Sequence, residues 1–135
     1  MSYATKVNAA GRPVPSEADV LKACLALLRF RRIFHWRQNQ GAATTRNSKG
    51  EERTIRFTSI NGVSDIIGVL RDGRFLAVEC KRPGNGPTEE QKAFLDAVRR
   101  RGGVALIVYD VDDLAETLDS LERVPGQQRE AHESR

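Results

Sequence analysis

Gly62-Val63-Ser64-Asp65-Ile66-Ile67-Gly68, followed after one turn by Phe75-Leu76-Ala77-Val78-Glu79-Cys80-Lys81-Arg82, is the stretch that decides how this 135-residue chain folds. Ile66, Ile67, Val69, Leu70, Phe75, Leu76, Ala77 and Val78 make both segments apolar on both faces, the pattern of central strands covered on two sides. Side chains alternate along a strand, so Glu79 and Lys81 share a face and Cys80 takes the other. Between the segments, Arg71-Asp72-Gly73-Arg74 is a hairpin signal with two possible registers. A two-residue Asp72-Gly73 loop pairs Asp65 with Cys80 and turns Asp65 away from Glu79. A three-residue Arg71-Asp72-Gly73 loop, with Gly73 left-handed and a bulge beside it, pairs Asp65 with Glu79. The odd loop, or a bulge near Asp65, is the expected arrangement.

A Glu and a Lys at the end of a buried strand are costly unless paired or bound to a cation. Two oxygen-bearing groups, Asp65 and Glu79, with the Lys81 amine beside them are the parts needed to hold a divalent ion and activate water against a phosphodiester.

Working outward, Ser16-Glu17-Ala18-Asp19 resembles a capping box that opens a helix whose apolar stripe is Val20, Leu21, Cys24, Leu25 and Leu28. Glu17 falls on the buried line of that helix; it is equally well explained as an N-terminal carboxylate favoured by the macrodipole. Ile33 to Gln38 reads as a first strand with Phe34 and Trp36 on one face. Asn39 to Glu52, rich in Gly, Ala, Thr, Ser and basic residues, reads as a flexible loop, and Thr54 to Phe57 resumes strand alternation. Thr88-Glu89-Glu90-Gln91 is a second capping box for a helix running to about Arg101 and ending at Gly102-Gly103, with Gln91, Phe94, Leu95 and Val98 inward. The cap alone suffices to explain Gln91. Val104 to Tyr109 reads as a buried strand parallel to the Glu79 strand. Asp112 or Asp110 then caps a last helix built on Leu114, Leu118 and Leu121. The expected organisation is an N-terminal arm at residues 1–15, one domain at 16–124 and a disordered polar tail at 125–135.

The net charge is +4, but its distribution is more telling: Arg29 to Arg56 holds eight basic residues against two acidic ones, Glu51 and Glu52. A run of that sign suits a polyanion. Cys24 and Cys80 lie in apolar segments without metal-ligand spacing and read as small core residues of a reducing compartment. No apolar run approaches a membrane span and the start lacks a signal-peptide pattern, so a soluble, cytoplasmic protein without membrane partners is expected.

Helix, three strands, helix, strand and helix, with Asp65 on the second core strand and Glu79-Cys80-Lys81 on the third, resembles the PD-(D/E)XK nuclease superfamily. Within it the chain resembles the VRR-NUC (virus-type replication-repair nuclease) family in its standalone form, over about Ser16 to Tyr109. The likeness rests on Glu17, Gly62 to Gly68, Ala77 to Lys81 and Thr88 to Gln91 in combination. It implies an α/β restriction-endonuclease-like fold with an αβββαβ core and a mixed sheet flanked by helices. It also implies a nuclease dependent on Mg²⁺ or Mn²⁺, in which Asp65, Glu79 and the Cys80 backbone carbonyl ligate the metal and Glu17 completes the site directly or through water. Lys81 would orient or deprotonate the attacking water, and Gln91 would be an accessory group. Where superfamily members carry Pro before the first Asp, this chain has Ser64. The basic surface expected to meet DNA is Arg37, Arg46, Lys49, Arg53, Arg56 and Arg82.

The resemblance further implies a Holliday junction resolvase-like homodimer, acting on branched DNA in a bacterial or phage-infected cell. The leading expectation is a structure-selective endonuclease for junctions or flaps. A restriction-like duplex endonuclease and a catalytically inert DNA-binding protein of the same fold are the alternatives.

Overall fold

In the computed structural model, residues 7–38, 42–56 and 60–123 are described. The order of elements is α1 (Glu17–Phe30), β1 (Phe34–Arg37), β2 (Ala42–Arg46), β3 (Glu52–Arg56), β4 (Ile66–Val69), β5 (Phe75–Cys80), α2 (Glu89–Arg100), β6 (Val104–Val108) and α3 (Val111–Glu122). A mixed four-stranded sheet runs β1-β4-β5-β6, antiparallel at β1–β4 and β4–β5 and parallel at β5–β6.

Strand alternation divides the core into two layers. Leu76, Val78 and Cys80 of β5 join Val20, Cys24 and Leu28 of α1 and Leu114 and Leu118 of α3 on one side. Ala77 meets Ile67, Leu95, Val98 and Ala105 on the other, under α2. Each fully buried Leu or Ile here contributes about 1.5–3 kcal/mol relative to exposure. Cys24 and Cys80 are free, buried thiols whose contact ties α1 to β5. No helix among the described residues is long and apolar enough to cross a membrane.

The caps form as the sequence dictates. Ser16 and Asp19, Thr88 and Gln91, and Asp110 and Asp113 each make a reciprocal capping box, and α2 gives way to Gly102 at φ +80°. The hairpin takes the three-residue loop: Gly73 N donates to Leu70 O, Leu70 N donates to Arg74 O, and Gly73 sits at φ +91°. Ile66 therefore pairs with Val78 and Val69 with Phe75, a register that sets Asp65 opposite Glu79.

Within the segment expected as a loop, Asn39 to Glu52, residues 39–41 lie outside the described residues and the part from Ala42 onward departs from the expectation. β2 pairs antiparallel with β3 in a separate two-stranded sheet, Ala42 opposite Arg56 and Arg46 opposite Glu52. The turn closes on Asn47, whose Oδ1 accepts from Lys49 N and Glu51 N while its side-chain amide donates to Glu51, with Gly50 at φ +79°. The segment expected at Thr54 to Phe57 belongs to this hairpin and not to the main sheet; Phe57 lies outside the described residues. Val7 to Pro13 of the arm form a small turn organised by the Asn8 side chain. The rest of the arm, residues 1–6, and the tail at 125–135 also lie outside the described residues.

Two glycines separate strain from contact. A Cβ on Gly73 would meet nothing, whereas one on Gly62, at φ +80°, would run into the Glu90 carbonyl group at the start of α2. Gly73→Ala should cost about 1 kcal/mol of backbone strain and Gly62→Ala about 3 kcal/mol or more, strain and overlap together. Urea unfolding followed by circular dichroism checks the order; equal losses would mean that the Gly62 loop moves away from α2 at little cost.

Candidate metal centre

Glu79, next to last in β5, has a side chain only 1% exposed although it carries a carboxyl group. Its Oε1 accepts from Gln91 Nε2 at 2.9 Å and lies 3.8 Å from Lys81 Nζ. Its Oε2 is buried and has no hydrogen-bond partner. Burial, and after it the neighbouring Asp65 carboxylate, push the Glu79 carboxyl up to about 8, with Glu17 adding to the rise and Lys81 opposing it.

Asp65 is fixed at the mouth of β4 from both sides. Its Oδ2 accepts from Cys80 N at 2.9 Å, and its carbonyl accepts from Gln38 N at 2.7 Å just past the end of β1. The three-residue loop makes this possible, because Asp65 then faces the same side of the sheet as Glu79. Gly62 lets the preceding loop lie against the Glu90–Gln91 peptide, so the segment carrying Asp65 and the helix carrying Gln91 close on each other. The sequence singled out Gly62 only as the first letter of a motif, because its contact with Glu90 joins segments distant in the chain. Ser64 is fully buried and its hydroxyl has no partner.

Gln91 performs two tasks with one side chain. Oε1 accepts from Thr88 N to close the capping box, while Nε2 donates to Glu79. The cap therefore accounts for only half of what the side chain does.

Glu17 reaches the cluster from α1. One carboxylate oxygen from each of Glu17, Asp65 and Glu79 lies within 4.8 Å of the others. Although Glu17 belongs to the line of Val20 and Cys24, it is the first residue of α1 and is exposed, the first buried residue of that line being Val20 one turn on; the expectation of a buried position is corrected. Lys81 shares the face of Glu79 as alternation requires, with its side chain 13% exposed and its backbone N donating to Val108 O. Three crowded carboxylates with an orphaned buried oxygen fit a hard divalent cation, which takes oxygen ligands and offsets their repulsion.

The basic residues are more scattered. Arg37 is exposed at the end of β1, and Arg82 is half-buried beside Lys81. Arg46, Lys49 and Arg53 are exposed on the β2–β3 hairpin, where Arg46 pairs with Glu52 at 3.5 Å. Arg56 ends β3, and its side chain lies outside the described residues. Arg31, within the same basic run, is committed to α3 through Asp119 at 2.7 Å.

A family model described as the VRR-NUC domain matches residues 19–113, which takes in Asp65, Glu79, Lys81 and Gln91 and starts two residues after Glu17. No curated protein and no solved structure matches the chain.

The double use of Gln91 generates a test. Gln91→Glu preserves an acceptor for Thr88 N but sets a second carboxyl group against Glu79. Unfolding free energy in EDTA should fall by about 1–3 kcal/mol with native helicity retained. A Gln91→Glu protein as stable as wild type in urea titrations would show that the Glu79 hydrogen bond contributes nothing to the fold.

Proposed function

This chain belongs to the VRR-NUC family, and from that premise we propose that it is a metal-dependent, structure-selective DNA endonuclease acting on branched DNA. The observation that carries the reading is the convergence of Glu17, Asp65 and Glu79 beside Lys81, with Glu79 Oε2 buried and unpartnered. Asp65 and Glu79 would hold Mg²⁺ or Mn²⁺ with the Cys80 carbonyl, and Glu17 would complete the set directly or through water. The bound ion supplies Lewis-acid polarisation of the phosphodiester and acidifies water.

The chain's own residues do the rest. Lys81, held against Glu79, orients the attacking water and offsets the negative charge that develops on the phosphate oxygens. Gln91 keeps Glu79 in one rotamer by donating to Oε1 while being pinned itself by Thr88. Cys80 N holds Asp65 in place. Hydrolysis adds water across one P–O bond, leaving a phosphate end and a hydroxyl end. Arg37, Arg46, Lys49, Arg53, Arg56 and Arg82 attract the phosphate backbone without reading sequence. Each chain supplies one set of these catalytic groups, so paired cuts in a two-fold junction call for a homodimer.

Cleavage of a four-way junction, a flap and a linear duplex in Mg²⁺, Mn²⁺ or EDTA tests the reading. Branched substrates should be cut and the duplex spared, and light scattering should report about twice 15.0 kDa. Asp65→Ala and Glu79→Ala should each lower cleavage on the order of a thousandfold with DNA binding retained. Cleavage by Asp65→Ala within tenfold of wild type would sink the site.

Lys81 separates chemistry from metal binding. Lys81→Ala should lower turnover on the order of a hundredfold while calorimetry still finds the divalent ion bound. Arg at this position should restore little, being differently shaped and always protonated. Loss of metal binding in Lys81→Ala would contradict the division of roles.

A further inference from the structure

The face of the sheet that carries Asp65 and Glu79 continues past α2 onto the edge strand β1. Phe34 pairs with Val69 and Trp36 with Ile67, and the same register places Gln38 beside Asp65. Residues directly opposite in an antiparallel pair share a face, so Gln38, Trp36 and Phe34 form a row on the carboxylate side. From Gln38 to Phe34 this row spans about 13 Å, the length of about four stacked nucleotides.

The row is built of exposed aromatic rings. Phe34 is 70% exposed and Trp36 42% exposed, on a strand whose outer edge has no sheet partner among the described residues. Their centroids lie 5.7 Å apart with the planes at 65°, and Trp36 Nε1 donates to Gln38 Oε1 at 3.1 Å. The hydrogen bond holds the indole without covering its face. Around the edge of the same strand, a cleft of about 640 Å³ between β1 and α1 has an apolar floor of Leu25, Ala26, Phe30 and Trp36 and is otherwise lined by Lys22, Arg29, His35 and Arg37, with no carboxylate. Neither Arg29 nor Arg37 is held in an ion pair among the described residues.

Aromatic faces beside a cationic cleft match a strand that offers both bases and phosphates. A duplex conceals its base faces, and two rings inclined at 65° cannot both lie flat on one rigid stack. An unpaired strand satisfies both features, its bases turning separately onto each ring and its phosphates following the cleft. Resting on the endonuclease reading above, we propose that Trp36 and Phe34 form a stacking platform for unpaired nucleotides next to the scissile phosphate. The preferred substrate is then DNA with a single-stranded branch, such as a flap or fork, over a fully paired junction.

Trp36 is the only tryptophan of the chain, so its fluorescence reports on the platform directly. The 135-residue chain is titrated in EDTA, where no cleavage is needed, with oligothymidylate, with an abasic oligonucleotide of equal length and with a blunt duplex. Oligothymidylate should quench the emission in a saturable way, and the abasic strand and duplex should not. In anisotropy titrations Phe34→Ala and Trp36→Leu should each weaken binding of a flap by about tenfold, the size of one base–aromatic stack, with blunt-duplex affinity kept within twofold. Trp36→Phe should recover most of the loss. Phe34 is exposed, so its variant tests the platform even if the Trp36 substitutions disturb folding. Absence of quenching, equal losses on flap and duplex, or a change of scattered mass in Phe34→Ala, which would make the row a contact with a second copy, would each overturn the proposal. A protein that quenches normally but cuts no DNA in Mg²⁺ would instead refute the endonuclease reading and leave the platform standing.

Discussion

The pairing of Asp65 with Glu79 across the β4–β5 hairpin is the constraint on which the polar end of the molecule depends. It is set by the loop Arg71 to Gly73, far from the carboxylates, through the period-two alternation of the strands. A slip of one residue would bring Asp65 opposite Cys80 and turn the two carboxylates to opposite faces. It would also bring the apolar pairs of β4 and β5 out of step, so the core that buries Ile66, Leu76 and Val78 enforces the register that the site requires. Packing and chemistry here share a single geometric cause.

The site is held together at some cost to stability. Glu79 is buried with one oxygen unpartnered, Ser64 is buried with its hydroxyl unpartnered, and Gly62 adopts a left-handed backbone against α2. Apolar residues in the first two positions would serve the fold at least as well, since a buried polar group without a partner costs about 1–3 kcal/mol. These three departures from good folding practice fall within one small region, where the three carboxylates meet; Arg32, left-handed at φ +57° between α1 and β1, is a separate one. Local conflicts gathered at one place are what a functional site leaves behind.

How much of this was legible in the sequence follows from the range of the forces involved. Caps are local, and Ser16, Thr88 and Asp110 open their helices through bonds spanning three residues. Strand burial shows in the unbroken apolar runs, whereas Gly73 suits either loop length, since a two-residue type I′ turn also wants its second residue left-handed; the three-residue loop was selected by the need to bring Asp65 opposite Glu79. The β2–β3 hairpin was missed because Ala42 to Arg46 carries no alternation of apolar and polar residues, and its turn rests on the Asn47 side chain rather than on an Asn-Gly pair. Glu17 was correctly placed on its helix line, yet that line is buried only from Val20 onward. The second bond of Gln91 and the close approach of Gly62 to Glu90 join segments distant in sequence, and neither leaves a local trace.

The topology also decides from which side a polyanion can reach the carboxylates. β5 and β6 are parallel and β4 runs against both β5 and β1, so the ends of β1, β5 and β6 and the start of β4 lie at one end of the sheet. All three helices begin at that end as well, α1 with Glu17 and Asp19, α2 with Glu89 and Glu90, α3 with Asp112 and Asp113 in their first turns. Those acids complement the helix dipoles but repel phosphate, and they are densest along the β6 side, where Asp110 joins them. The β1 side bears Arg37, Arg29 and Lys22 instead, and Lys81 and Arg82 stand between the two. Since exposed charges act over about a Debye length of 8–10 Å, the charge pattern and the aromatic row of β1 favour the same approach to Asp65 and Glu79, from the open edge of the sheet.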